Sequence, residues 1–95
     1  LEVEAAIYNH PGVHEVAVFG LPDARLGEIV GAAVVVRTGV ELTADELRAE
    51  LGKHLASFKI PARIWFRTEQ LPRIASGKIF KRQIKADYVA ELAAS

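Results

Sequence analysis

Cysteine and methionine are both absent from the 95 residues. Without cysteine there is no disulfide framework and no thiolate metal site, which fits a reducing compartment and predicts a cytoplasmic protein. A surplus of either charge is also missing: 12 Lys and Arg balance 12 Asp and Glu. A dedicated nucleic-acid or membrane-surface protein would carry a basic excess, so neither nucleic acid nor a lipid surface is an expected partner. Long apolar runs are lacking as well. The longest, Ile29 to Val36, is interrupted by Gly31 and falls far short of the roughly 20 residues needed to span a bilayer. No signal-peptide pattern is present.

What remains is 51% hydrophobic and 25% charged, the usage of an ordinary globular domain. Val3, Ala6 and Ile7 share one helical face. That helix opens at Leu1 without a capping residue, which predicts a larger segment before Leu1. His10-Pro11-Gly12 should end it. Val13 to Phe19 alternates poorly but is rich in β-branched residues, predicting a strand closed by a Gly20-Leu21-Pro22-Asp23 turn. A second strand from about Glu28 to Arg37 is apolar enough to be covered on both faces. Thr43-Ala44-Asp45-Glu46 is a capping box. Behind it Leu47, Leu51, Leu55 and Phe58 recur at helical spacing, predicting a helix to about Ala56. After Pro61, Arg63 to Arg67 suits a short strand, Leu71 to Lys78 a loop, and Lys81 to Leu92 a helix burying Ile84, Tyr88 and Leu92. The order α-β-β-α-β-loop-α predicts an α+β fold, a small mixed sheet of about three strands flanked by helices.

Few residues invite chemistry. His10, His14 and His54 lack cysteine partners, and Pro11-Gly12 separates the first two, so surface histidines are expected and no metal site. There is no Gly-x-Ser-x-Gly elbow. Ser76-Gly77-Lys78 fails as a phosphate-binding P-loop because Pro72 and Ile79 occupy positions that need Gly and Ser or Thr. Glu2, Glu4, Asp45, Glu46 and Glu50 suit solvated helix faces plus a capping pair. The segment Leu71 to Lys85 holds Arg73, Lys78, Lys81, Arg82 and Lys85 with no acid. For Lys81 and Lys85, four apart, an exposed basic helix face is the expectation. Lys78 is open to two readings: a plain basic loop, or a mobile cation delivered to phosphate or carboxylate oxygens from a turn that Gly77 allows to approach a ligand.

Leu71-Pro72-Arg73-Ile74-Ala75-Ser76-Gly77-Lys78-Ile79-Phe80-Lys81-Arg82 resembles the C-terminal signature of the adenylate-forming enzymes: acyl-CoA synthetases, peptide-synthetase adenylation domains and luciferases. Three further stretches match in order: Glu2 to Ile7, Val16 to Asp23 with Gly27-Glu28, and Phe58-Lys59-Ile60-Pro61. The resemblance covers essentially the whole chain. Ser76 and Phe80-Lys81-Arg82 are closer to the acyl-CoA synthetase and fatty-acid–CoA ligase branch than to peptide synthetases, which carry an asparagine before the glycine and Asp-Arg after the lysine.

The resemblance implies that residues 1–95 form the C-terminal lid of a ligase whose large N-terminal adenylation domain supplies the ATP loop, the Mg2+ ligands and the acyl pocket. A carboxylic acid and ATP would give an acyl-adenylate and pyrophosphate, and CoA would then displace AMP. Lys78 would clamp the α-phosphate and attacking carboxylate electrostatically, with Ser76 and Gly77 beside it as substrate- or cofactor-binding residues; lysine is protonated near neutrality, so it would not serve as a base. A hinge would then rotate the lid for the thioester step. Phe58, with Lys59 beside it, matches a position that packs against the adenine of CoA, whereas the helical stripe points Phe58 into the core; both readings stand. Ala75 replaces an arginine that in some relatives holds CoA phosphate. The lysine loop is similar to segments acetylated in bacteria, which would make a lysine acetyltransferase and deacetylase partners. The isolated chain should have no synthetase activity. Two other functions are open: the lid of an enzyme that loads a carrier protein, and an independent anion-binding α/β module. Against the module stand the neutral charge and the lack of aromatics interleaved with the cations.

Overall fold

Gly27–Val36 forms β2, the middle strand of a three-stranded sheet in the computed structural model, which describes residues 2–94. Leu1, where the first helix was expected to open, and Ser95 lie outside the described residues. β1 (Val13–Asp23) pairs with β2 antiparallel, and β3 (Arg63–Arg67) pairs with it parallel. The central place of β2 explains the near-continuous apolar run within it, because both its faces need cover. Ala32 and Val34 face α1 (Glu2–Tyr8) and α2 (Ala44–Leu51), packing with Ile7, Leu47 and Leu51. Ala33 and Val35 face the other way, beneath α3 (Lys81–Ala94), and pack with Ile84, Leu71, Phe19 and Leu21. Gly31 gives up its side chain because a Cβ there would lie 2.7 Å from the Leu21 side chain. The expected order and mixed sheet are both present.

A bulge accounts for the poor alternation of β1. The register with β2 slips between Val13 and Glu15, so that His14 is the extra residue. Val13 and Val16 therefore share one face although they lie three positions apart, while Glu15 joins Ala17, Phe19 and Leu21 on the other. The free edge of β1 is capped from α1. Tyr8 Oη accepts the Val16 N–H at 3.3 Å, and Glu4 Oε2 accepts the Val18 N–H at 2.9 Å. Strand alternation puts Pro22 in the same outward-facing set, where its missing donor does no harm.

Three boundaries differ from expectation. β1 does not turn at Gly20–Asp23 but continues through it, because Leu21 is a core residue and pairs with Ile29. The turn comes after Asp23, whose Oδ2 accepts the N–H groups of Arg25 and Leu26 at 3.2 and 2.7 Å. α2 stops at Leu51 instead of Ala56: Gly52 closes it, and Ser57–Lys59 forms a separate 3₁₀ turn. Leu55 still packs on the core, but the stripe ends there and Phe58 is 77% exposed. α3 extends two residues beyond Leu92; Ile84 is fully buried, and Tyr88 and Leu92 are half-buried.

The capping box forms as expected. Thr43 Oγ1 accepts the Glu46 N–H at 3.1 Å, and Glu46 Oε1 accepts the Thr43 N–H at 3.0 Å. In so short a helix these bonds matter, since nucleation is unfavourable. Thr43→Ala should cost about 1 kcal/mol, seen as a drop in urea midpoint with an unchanged slope.

Candidate functional site

The segment between β3 and α3 closes into a small hairpin. Leu71 is buried against Ile84 and anchors its base. Phe80 N–H donates to Pro72 O at 2.7 Å, Arg73 and Ile79 form an antiparallel bridge, and Ile74 N–H donates to Lys78 O at 2.9 Å. Gly77 N–H returns to Ile74 O at 2.9 Å. The turn needs φ of +91° at Gly77, in the left-handed region. Nothing lies within 4 Å of a Cβ placed there, so backbone strain and not crowding calls for glycine. Ser76, Gly77 and Lys78 are brought together, exposed, at the tip.

The cations around Lys78 are not equivalent. Arg73 pairs with Glu15 and also donates to Gly77 O at 2.7 Å. Lys81 reaches across to Glu4 of α1, Nζ to Oε2 at 2.7 Å, which corrects the expectation that it belongs to a plain solvated face. The Arg82 guanidinium lies 5.8 Å from the Phe80 ring centroid. Among the described residues Lys78 makes no side-chain hydrogen bond or ion pair. Its ammonium is thus free, on a backbone fixed by cross-hairpin bonds.

Phe58 and Lys59 stand on a separate element, the 3₁₀ turn. The exposure of Phe58 removes its core reading. Its ring borders a shallow cleft of about 400 Å³ shared with Leu26, Ile29 and Ile60. Lys59 Nζ lies 5.8 Å from that ring centroid and pairs with Glu2. His10 and His54 line one cleft with Glu50, and His14 stands apart from them; His10 Nδ1 accepts the Gly12 N–H at 3.0 Å, and His54 lies 3.8 Å from Glu50. Among the described residues no group of three or more His, Cys, Asp or Glu could hold a metal ion.

Two carboxylates were misjudged or missed. Glu4, expected on a solvated face, has a side chain only 18% exposed. Glu15 is 4% exposed, and its two oxygens meet Leu71 N–H, at 3.1 Å, and Arg73. The broken alternation of Val13, Val16 and Val18, with an acid inside it, was the available signal. Burial pushes both carboxyls up, but their donors outweigh it: Lys81 and the Val18 amide hold Glu4 below the ordinary carboxylate value. The Leu71 amide and Arg73 do the same for Glu15. Groups depressed on folding stabilise fully above their unfolded pKa and cease to do so as pH falls through the folded one. The melting temperature should hold steady from pH 7 to 5 and then decline below the usual carboxylate range. Glu15→Gln should flatten that decline.

Residues 2–78 match the family model for the AMP-binding enzyme C-terminal domain. The chain is 43% identical over 84 residues to the oxalate–CoA ligase of Saccharomyces cerevisiae, covering 88% of this chain and 15% of that protein. It is 44% identical over 84 residues to the fatty acid–[acyl-carrier-protein] ligase ScoC of Streptomyces coeruleorubidus, covering 88% of this chain and 16% of that one. The solved Mycobacterium tuberculosis fatty acyl CoA synthetase superposes with a TM-score of 0.85 at 39% identity, over 95% of this chain and 18% of that chain. The chain therefore spans less than a fifth of the length of these relatives. With the family model matched over most of its length and the fold reproduced, the chain belongs to the C-terminal domain family of the AMP-binding enzymes.

Proposed function

We propose that this chain is the mobile C-terminal domain of an acid–CoA ligase that activates a carboxylic acid with ATP and then forms acyl-CoA. The observation that carries this reading is the free ammonium of Lys78 on the Gly77 hairpin. Adenylation brings a carboxylate up to an already anionic α-phosphate. A cation delivered from outside offsets that repulsion and stabilises the charge developing at phosphorus. Acetylation of Lys78 would erase the charge and silence that step. The Mg2+ that accompanies ATP would be held by the N-terminal adenylation domain.

Phe58 suits the second step. Its exposed ring can take the face of an adenine, and Lys59 can leave its exposed Glu2 partner for a phosphate at little cost, since such surface pairs contribute about 1 kcal/mol or less. The likeness to ScoC supports a second reading, in which the acceptor thiol sits on a carrier protein. In the full-length enzyme Lys78→Ala should cut pyrophosphate release from acid and ATP by about 10² to 10³, whereas Phe58→Ala should slow only acyl transfer from preformed acyl-adenylate. Running that transfer with CoA and with a carrier-protein thiol separates the two acceptors. If both substitutions depress the same half-reaction, the division of labour is wrong.

A further inference from the structure

We infer that Glu15 and Arg73 are positioning residues for Lys78, a role that rests on the reading of Lys78 as the adenylation lysine. Glu15 is the only buried charged side chain among the described residues, and a buried carboxylate is costly unless its oxygens are fully engaged. Here both are, and both are spent on the hairpin. Oε1 accepts the N–H of Leu71, where the hairpin leaves the core. Oε2 takes Arg73, whose other terminal nitrogen donates at 2.7 Å to the carbonyl of Gly77. Gly77 is the residue directly before Lys78. One carboxylate on β1 thus fixes the base of the hairpin and, through one guanidinium, the peptide from which the lysine springs.

The register of β1 makes this possible. Glu15 pairs with Val35, so its carboxylate sits in line with Ala17, Phe19 and Leu21, on the face that Leu71 covers, while the bulge at His14 returns Val13 to the α1 and α2 face. Arginine is required by geometry, because a planar fork can hold a carboxylate and a carbonyl at once, whereas an ammonium meets one of them well. The hairpin's own cross-strand bonds define its shape, and the Glu15–Arg73 link defines where that shape stands on the sheet. A displacement of about 1 Å at a reacting group is enough for a 10²-fold loss in rate.

The test is a set of full-length variants, Glu15→Gln, Arg73→Lys, their double and Lys78→Ala, assayed in both half-reactions. Glu15→Gln keeps an acceptor for Leu71 but loses the charge that holds Arg73. Arg73→Lys changes a partly exposed side chain and spares the core. Each single variant should lower kcat for pyrophosphate release at least tenfold, with KM for ATP within about twofold and acyl transfer from preformed acyl-adenylate unchanged. The double should be no worse than the poorer single, because both act through one linkage. Equal losses in the two half-reactions, or additive losses, would overturn the inference in favour of a merely structural pair. Normal adenylation in Glu15→Gln and Arg73→Lys, with Lys78→Ala inactive, sinks the positioning role alone. Normal adenylation in Lys78→Ala sinks the reading of the site and this inference with it.

Discussion

Lys78→Ala in the full-length enzyme is expected to cut the rate of adenylation by about 10² to 10³, the usual cost of losing one preorganised charge-stabilising donor. Such a loss corresponds to about 2.7–4 kcal/mol, in line with the roughly 4 kcal/mol for unit charges 4 Å apart at an effective dielectric of 20. The loss should be confined to that half-reaction. The Lys78 side chain makes no hydrogen bond or ion pair among the described residues, and alanine keeps the backbone bond from Ile74, so folding and acyl transfer should be untouched. Lys78→Gln, which keeps most of the stem without the charge, should match alanine. Lys78→Arg should recover part of the rate, since charge returns but a planar fork replaces a compact ammonium. Pyrophosphate release and thioester formation from synthetic acyl-adenylate, measured separately, decide the matter. Equal recovery by Gln and Arg would refute an electrostatic role.

The second large effect is structural. Ile84→Ala should destabilise the domain by about 2–5 kcal/mol, the range for truncating a buried aliphatic side chain. For a domain of this length total stability is about 5–14 kcal/mol, so the loss is a substantial fraction. Ile84 is 1% exposed and is the one fully buried side chain of α3; Tyr88, Val89 and Leu92 lie only partly covered around it. Trp65, the sole tryptophan, stacks on Tyr88 with centroids 4.2 Å apart. Its fluorescence therefore reports on that face directly. Leu47→Ala, on the opposite face, is the control. If the two faces unfold as one unit, far-UV circular dichroism and Trp65 fluorescence should give coincident transitions in both variants. Separate transitions in Ile84→Ala would mean that α3 detaches before the sheet melts.

Local signals were legible in the sequence. The apolar run of β2 announced a central strand, and Thr43 to Glu46 spelled out a helix start. Gly77 beside Lys78 marked a special turn, and the likeness to adenylate-forming enzymes gave the family. The illegible features depended on distant partners. Glu15 meets Leu71 and Arg73 across 56 and 58 residues, and no local pattern encodes that. Glu4 and Lys81 looked solvated because each was judged on its own helix, whereas their partner is the other helix. Phe58 continued a helical spacing, but Gly52 had already ended the helix, so the spacing no longer described a face. The turn expected at Gly20–Asp23 had suitable residues; the core's need for Leu21 overrode them.

The Glu4 carboxylate has a mechanical consequence. One oxygen holds both an N–H of the β1 edge and the ammonium of Lys81, at the start of the helix that follows the hairpin. Glu2, two residues earlier, is joined to Lys59 beside Phe58. The first helix is thus joined both to the start of α3, behind the Lys78 hairpin, and to the 3₁₀ turn that carries Phe58. On a body 35 × 34 × 25 Å across, α1 is therefore the element that two surface ion pairs tie to opposite working parts of the domain.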